Sequence, residues 1–283
     1  MIKAHEKMFA VTMMCRVQSV SRSAYYAWRH AKPSPRAQAN VVLTNDIKAI
    51  VDEEKNRVGA PRVTARLRAQ GQPVGRHRVA KIMRKNGWRA KAAKKYKATT
   101  NSKHKLPVAP NLLQQNFDAD MPNQKWVTDI TYIWTDEGWL YLATVIDLYS
   151  RKVKGWAMGE RITADLAVSA LEMALMGLKC PHGILFHSDR GVQYASYLFK
   201  GIIEKNGMTH SMSRKADCWD NAVAESFFGT LKQELVHHCK FKTREEAKLA
   251  IFDYIEVFYN RCRLHSTMNY QTPESVEALA LVA

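Results

Sequence analysis

The chain has 283 residues, 46% of them hydrophobic, which supports one large domain or two modest ones and argues against wholesale disorder. No apolar run approaches the roughly 20 residues that span a bilayer, and the N-terminal stretch, broken by charges, does not read as a signal peptide. The net charge of +17 is uneven: residues 1–110 hold 25 Lys and Arg against 5 Asp and Glu, whereas residues 111–283 hold 18 against 21. That asymmetry points to a polyanion-binding module beside a near-neutral catalytic or assembly module; the alternative is a merely solvated basic face.

In chain order, "VSRSAYYAW" reads as a turn into a short helix capped by Ser21. "KPSPR" breaks the chain, and Val42, Ile47, Ile50 and Val51 give residues 40–54 one apolar helical face. Two short helices follow, one ending at Gly71 and one near Gly87. Across a tight turn they form a helix-turn-helix-like unit studded with Arg62, Arg66, Arg78 and Arg84 as candidate phosphate contacts, or an ordinary solvated helical pair. A mainly helical, basic DNA-binding region over 1–88 is therefore expected. Residues 89–120 read as a basic linker that either lies along phosphates or acts as a tether.

From 121 to 283 the pattern changes. Strands are expected at 125–135, 139–150 and 151–158, a helix at 163–178, a strand ending at "FHSD", and a helix at 195–207. A short strand "THSMSR" and helices at 221–238 and 243–263 complete the pattern. The order βββαβαβ followed by helices describes an α/β ribonuclease H-like core. Five scattered cysteines form no CxxC pair and no zinc spacing, which suggests reduced thiols in a cytoplasmic protein.

Three acids stand out in this half: Asp129 within the first strand, Asp189 ending the fourth, and Glu225 early in a helix. In that element order the first and fourth strands can be neighbours, an arrangement that would bring Asp129 and Asp189 face to face and let a helix across the sheet edge add Glu225. Clustered carboxylates repel unless a cation lies between them. Mg²⁺ suits such a set, and a two-metal site suits in-line phosphoryl displacement. Each acid also has a plain reading: a cross-strand hydrogen bond, a turn cap, or a favourable helix-dipole charge. His187, two residues before Asp189, either touches substrate or packs. Gln193 follows a glycine turn and is a weaker DNA-contact candidate, as are Arg261 and His265. Asn221 reads as a helix N-cap.

The stretches "WVTDITYI", "VIDLYSRKVKGW", "FHSDRGVQY", "DNAVAESFFGTLKQE" and "YNRCRLHSTMNYQTPES", with 35 residues between Asp189 and Glu225, resemble the insertion-sequence-three family of transposases, specifically its downstream-frame (OrfB) product. The likeness extends over most of the chain. It implies a retroviral integrase-type catalytic core with Asp129, Asp189 and Glu225 as a DDE metal-binding triad. The activity implied is Mg²⁺-dependent polynucleotidyl transfer, with Mn²⁺ as substitute: hydrolytic nicking of element ends, then 3′-hydroxyl attack on another phosphodiester. Lys232 matches the basic residue the family carries seven positions after its glutamate, and is implied to hold a DNA phosphate. DNA ends and target, a homo-oligomer on DNA, a bacterial nucleoid location and an upstream-frame (OrfA) product are implied as context. The OrfA product matters because the family's active enzyme is usually a frameshift fusion, and no sustained heptad is legible here. A non-catalytic DNA-binding regulator and a nuclease without strand transfer are the competing readings.

Overall fold

The computed structural model describes residues 1–91, 106–176, 178, 182–214 and 218–282. The chain divides into two compact units, Met1–Arg89 and Ala90–Ala283.

The first unit is helical: α1 (Ile2–His5), α2 (Val11–Val17), α3 (Arg22–His30), α4 (Pro35–Glu53), α5 (Ala60–Ala69) and α6 (Arg76–Lys85). Ser21 caps α3 as its sequence suggests, its Oγ accepting from Ala24 N at 3.1 Å. Ser34 caps α4 in the same way at 3.2 Å. Pro35, with φ preset for a first turn, starts that helix five residues earlier than the apolar spacing alone indicates. Leu43, Ile47, Ile50 and Val51 of α4 pack against Val63, Leu67, Val79, Ile82 and Met83 of α5 and α6. Gly71 and Gly87 follow α5 and α6 at φ +81 and +72, the left-handed conformation that stops a helix cheaply only with glycine.

The second unit carries β1 (Lys125–Thr135), β2 (Gly138–Asp147), β3 (Val153–Gly159), α7 (Ala164–Met176), β4 (Leu185–Ser188), α8 (Tyr197–Lys205), β5 (Thr209–Met212), α9 (Ala222–Glu234), α10 (Arg244–Phe252) and α11 (Pro273–Val282). The sheet order is β3-β2-β1-β4-β5. β1, β2 and β3 are antiparallel neighbours, and β4 and β5 add in parallel. This mixed sheet with helices on both faces is the ribonuclease H-like core that the sequence pattern indicates.

Side chains alternate across each strand, so the sheet builds two cores. Val127 and Ile133 of β1 with Leu140, Leu142 and Ile146 of β2 face α9 and α10. Trp126, Ala143, Val145 and Phe186 face α7 and α8. Gly155 lets α7 lie directly on β3: a Cβ there would come within 2.2 Å of the Ala170 carbonyl oxygen.

Two expectations change. Of the segment read as a linker, residues 92–105 lie outside the described residues. The part from Leu106 onward is no tether but a strap on the second unit. Leu106 and Ala109 pack against the α7–α8 core, Leu113 is buried in the other core, and the Leu112 and Leu113 amides donate to Ser211 Oγ on β5. Isolated apolar residues in a basic, proline-containing stretch carry no periodicity from which such anchoring is legible. The single helix expected over 243–263 stops at Phe252 and continues as a π-helical stretch, Asp253–Tyr259, which buries Tyr254, Ile255, Phe258 and Tyr259.

Candidate active site

The strand register sets the site. β4 pairs with β1 only over Lys125–Val127, ending at Val127↔His187. Asp129 and Asp189 each lie two residues beyond that last pair, so both carboxylates emerge on one sheet face where the strands part. That is the face covered by α9, whose Ala224, Phe227, Phe228 and Leu231 pack against Val127 and Ile133. Fully burying a side chain of that size contributes about 1.5–3 kcal/mol, which fixes α9 against the sheet. Glu225 stands near the N-terminus of this helix, at its more exposed edge.

Electrostatics tie the three acids together. Burial, then the charge of Asp189, and to a smaller degree Glu225, push the Asp129 carboxyl well above the usual carboxylate range, against the Ile130 amide and Lys232. Partial burial pushes the Glu225 carboxyl up as well. One oxygen of each aspartate is held by a nearby backbone amide: Ile130 N to Asp129 Oδ1 and Gly191 N to Asp189 Oδ1, both at 2.8 Å. Tyr194 is fully buried behind them, its hydroxyl 3.1 Å from Thr128 Oγ1, and burial and both acids keep its phenol protonated. Among the described residues no three of His, Cys, Asp and Glu stand close enough to enclose a metal ion by themselves. The donor set nevertheless fits a hard divalent cation. Two half-buried, mutually repelling carboxylates with a third nearby suit Mg²⁺, which is commonly held by one or two protein carboxylates, waters and substrate phosphates.

Lys232 is not a solvated helix lysine. It is 5% exposed, its Nζ stands 4.7 Å from the Tyr132 ring centroid, and it feels the Asp129 charge. Burial brings its ammonium down to about 8, with Asp129 opposing the shift.

Of the other candidates, several are engaged within the fold and some stay exposed. His187 is fully buried between Ser211 Oγ (2.8 Å) and Ser213 Oγ (3.1 Å), and burial lowers its imidazole to about 4. It is a neutral core residue, which accords with the packing alternative for this position. The Gln193 amide folds back over Gly191, where a Cβ would meet it at 2.2 Å. Asn221 occupies the N-cap position of α9, but its side chain caps nothing and instead donates to the Thr128 carbonyl at 3.0 Å. Arg66 pairs with Glu53 and the buried Glu54, Arg78 donates to Asn40 Oδ1, and Arg62 reaches the Arg57 carbonyl. Arg84 is exposed, with Arg76, His77, Lys81 and Lys85, along α6. Arg261 is exposed opposite Glu274. His265 is turned onto the Tyr259 ring edge and lies 3.2 Å from Arg263 Nη1. Arg263 itself is buried in an ion pair with Glu234 of α9, which also accepts from the Tyr254 hydroxyl.

Comparison with known proteins agrees with this architecture. An integrase core domain model matches residues 119–218, a second integrase core model residues 225–279, and an HTH-like domain model residues 38–96. The chain is 46% identical over 278 residues to transposase InsF for insertion sequence IS3A of Escherichia coli (strain K12), covering 98% of this chain and 96% of that one. It is 47% identical over 260 residues to the insertion element IS600 uncharacterized 31 kDa protein of Shigella sonnei, covering 92% and 96%. Among solved structures it is similar to the HTLV-2 integrase catalytic core domain in complex with magnesium, at 17% identity and TM-score 0.43, covering 56% of this chain and 99% of that one. With near-complete coverage by IS3 transposases, and an integrase core whose strand register brings Asp129 to Asp189, the chain belongs to the IS3 family of transposases.

Proposed function

We propose that Asp129, Asp189 and Glu225 form the metal-binding DDE site at which this transposase cleaves DNA and transfers the resulting 3′-hydroxyl end. The observation that carries the reading is the emergence of Asp129 and Asp189 at equal offsets on one sheet face where β1 and β4 part, with Glu225 on the helix α9 that packs on that face.

Two Mg²⁺ ions, or Mn²⁺ in their place, would supply an activated attacking oxygen and a steadied leaving oxygen. Asp129 and Asp189 would hold the metals from rigid strand positions, their orientation fixed by the Ile130 and Gly191 amides. Glu225 would close the set from the helix. Lys232 would bind a substrate phosphate beside Asp129, a charge-assisted contact strengthened by burial. Tyr194 stays protonated and braces Thr128 below the acids. Water or a DNA 3′-hydroxyl serves as nucleophile, so the chain needs no covalent intermediate.

DNA is the proposed partner, approached through the exposed α6 cations Arg76, Lys81, Arg84 and Lys85 and through Arg261. Assembly as a homo-oligomer on DNA, end recognition shared with an upstream-frame (OrfA) product, and a nucleoid location are proposed from family membership. No helix among the described residues is long and apolar enough to cross a membrane. The test is joining. With an element-end duplex exposing a 3′-hydroxyl, the protein is expected to join that end to a target strand in MgCl2 and not in EDTA. Nicking without any joining would leave a nuclease, and binding without either would leave a regulator.

A further inference from the structure

The first turn of α9 is tied to the sheet by two consecutive residues, neither of which ligates or touches DNA in the reading above. Asp220 is fully buried. Its Oδ2 accepts from Arg214 N (2.7 Å), Arg214 Nε (3.1 Å) and Asn111 Nδ2 (2.8 Å). Its Oδ1 accepts from Arg214 Nη2 and Gln115 Nε2, both at 3.0 Å. One carboxylate therefore joins the 106–120 strap, the exit of β5 and the approach to α9. Five donors on one buried carboxylate leave it little freedom, and although burial opposes ionisation, the Arg214 bonds hold it charged at about 2.

Asn221 continues the path. Its Nδ2 donates to the Thr128 carbonyl at 3.0 Å, one residue after the last β1–β4 pair and one before Asp129. It thus takes over the edge of β1 where β4 leaves it. Its Oδ1 is buried with no hydrogen-bond partner among the described residues, a cost of about 1–3 kcal/mol that a core-filling residue would avoid. Glu225 follows four residues later, one helical turn on.

We infer that Asp220 and Asn221 are positioning residues that fix the Glu225 carboxylate relative to Asp129, so that the third ligand is set by hydrogen bonds to the strap and to β1. The inference rests on the metal-site reading above.

The test is Mn²⁺ binding to the full chain without DNA, measured by electron paramagnetic resonance, well below the unfolding temperature. Wild type is expected to bind Mn²⁺, and Glu225→Gln to bind it more weakly. Equal affinity in those two proteins overturns the site assignment itself, before any positioning variant is compared. Asn221→Ala and Asp220→Asn are each expected to weaken Mn²⁺ roughly tenfold, the range for residues that orient ligands. In the Glu225→Gln background they should cause no further loss, and DNA affinity should stay within about twofold. Wild-type Mn²⁺ affinity in both variants, or the same loss with Glu225 already removed, overturns the inference. Should Asp220→Asn fail to fold, Asn111→Ala removes one of the five donors and should show the same Glu225-dependent loss at smaller amplitude; its absence there counts equally against the proposal.

Discussion

Replacing Asp129 by Asn is expected to stabilise the metal-free protein while removing its response to metal. The carboxyl is held well above its usual range by burial and by Asp189, so the folded state binds a proton that the unfolded chain releases near pH 4. The sign follows: this group favours folding below about pH 4, and the advantage is lost as pH rises through its folded-state value. At neutral pH the site is therefore a liability. Like charges at the outer end of the roughly 4–6 Å range in which one charge shifts another's pKa repel by about 3 kcal/mol at an effective dielectric of about 20. Solvent access and relaxation trim the net gain from Asp129→Asn to about 1–3 kcal/mol, or about 3–10 °C in Tm for a unit of this size. Thermal unfolding at pH 7.5 in EDTA and in MgCl2 tests it. Wild type should gain Tm with Mg²⁺; Asp129→Asn should start higher in EDTA and gain little. A lower Tm in EDTA together with a full Mg²⁺ shift would refute the reasoning.

Three further outcomes follow from packing and charge. Gly155→Ala should cost about 2–4 kcal/mol in urea unfolding, because its Cβ meets the Ala170 carbonyl and the Ala174 backbone and α7 must lift from β3. Arg263→Ala should destabilise by about 3–5 kcal/mol, since it strands the Glu234 carboxylate beside the Tyr254 hydroxyl in a buried site. Lys232→Ala should lower kcat/KM for strand cleavage about tenfold to a hundredfold, the equivalent of about 1.5–3 kcal/mol for a charge-assisted phosphate contact. Because the Lys232 ammonium titrates at about 8, its share of metal-free DNA affinity should fade as pH rises through that value. Lys232→Arg should hold that affinity to higher pH.

Much of the fold is written locally. The alternation in "KWVTDITYIWT", the helix formers after Thr163 and the glycines closing α5 and α6 are short-range signals, and they place the elements within a few residues. The meeting of Asp129 with Asp189 follows from strand order, because both acids lie at equal offsets from the end of the β1–β4 ladder. What stays illegible is which polar group meets which across the fold. His187 looks like a site residue until Ser211 and Ser213 enclose it. Arg66 and Arg78 read as surface cations until Glu54 and Asn40 claim them. Asp220 shows no local signal, since two of its partners, Asn111 and Gln115, lie over 100 residues away in a segment with no periodicity. Asn221 has the residue type and position of a cap, and only the departure of β4 from β1 reveals the carbonyl it serves instead.

The central claim is that Asp189 is a metal ligand of the strand-cleaving site. The measurement that tests it most directly compares wild type with Asp189→Asn on the same element-end DNA in MgCl2, scoring cleavage and binding in parallel. The substitution keeps size and the Gly191 amide contact while removing the charge. Cleavage should disappear with DNA affinity essentially unchanged. Cleavage at the wild-type rate by Asp189→Asn would contradict the account.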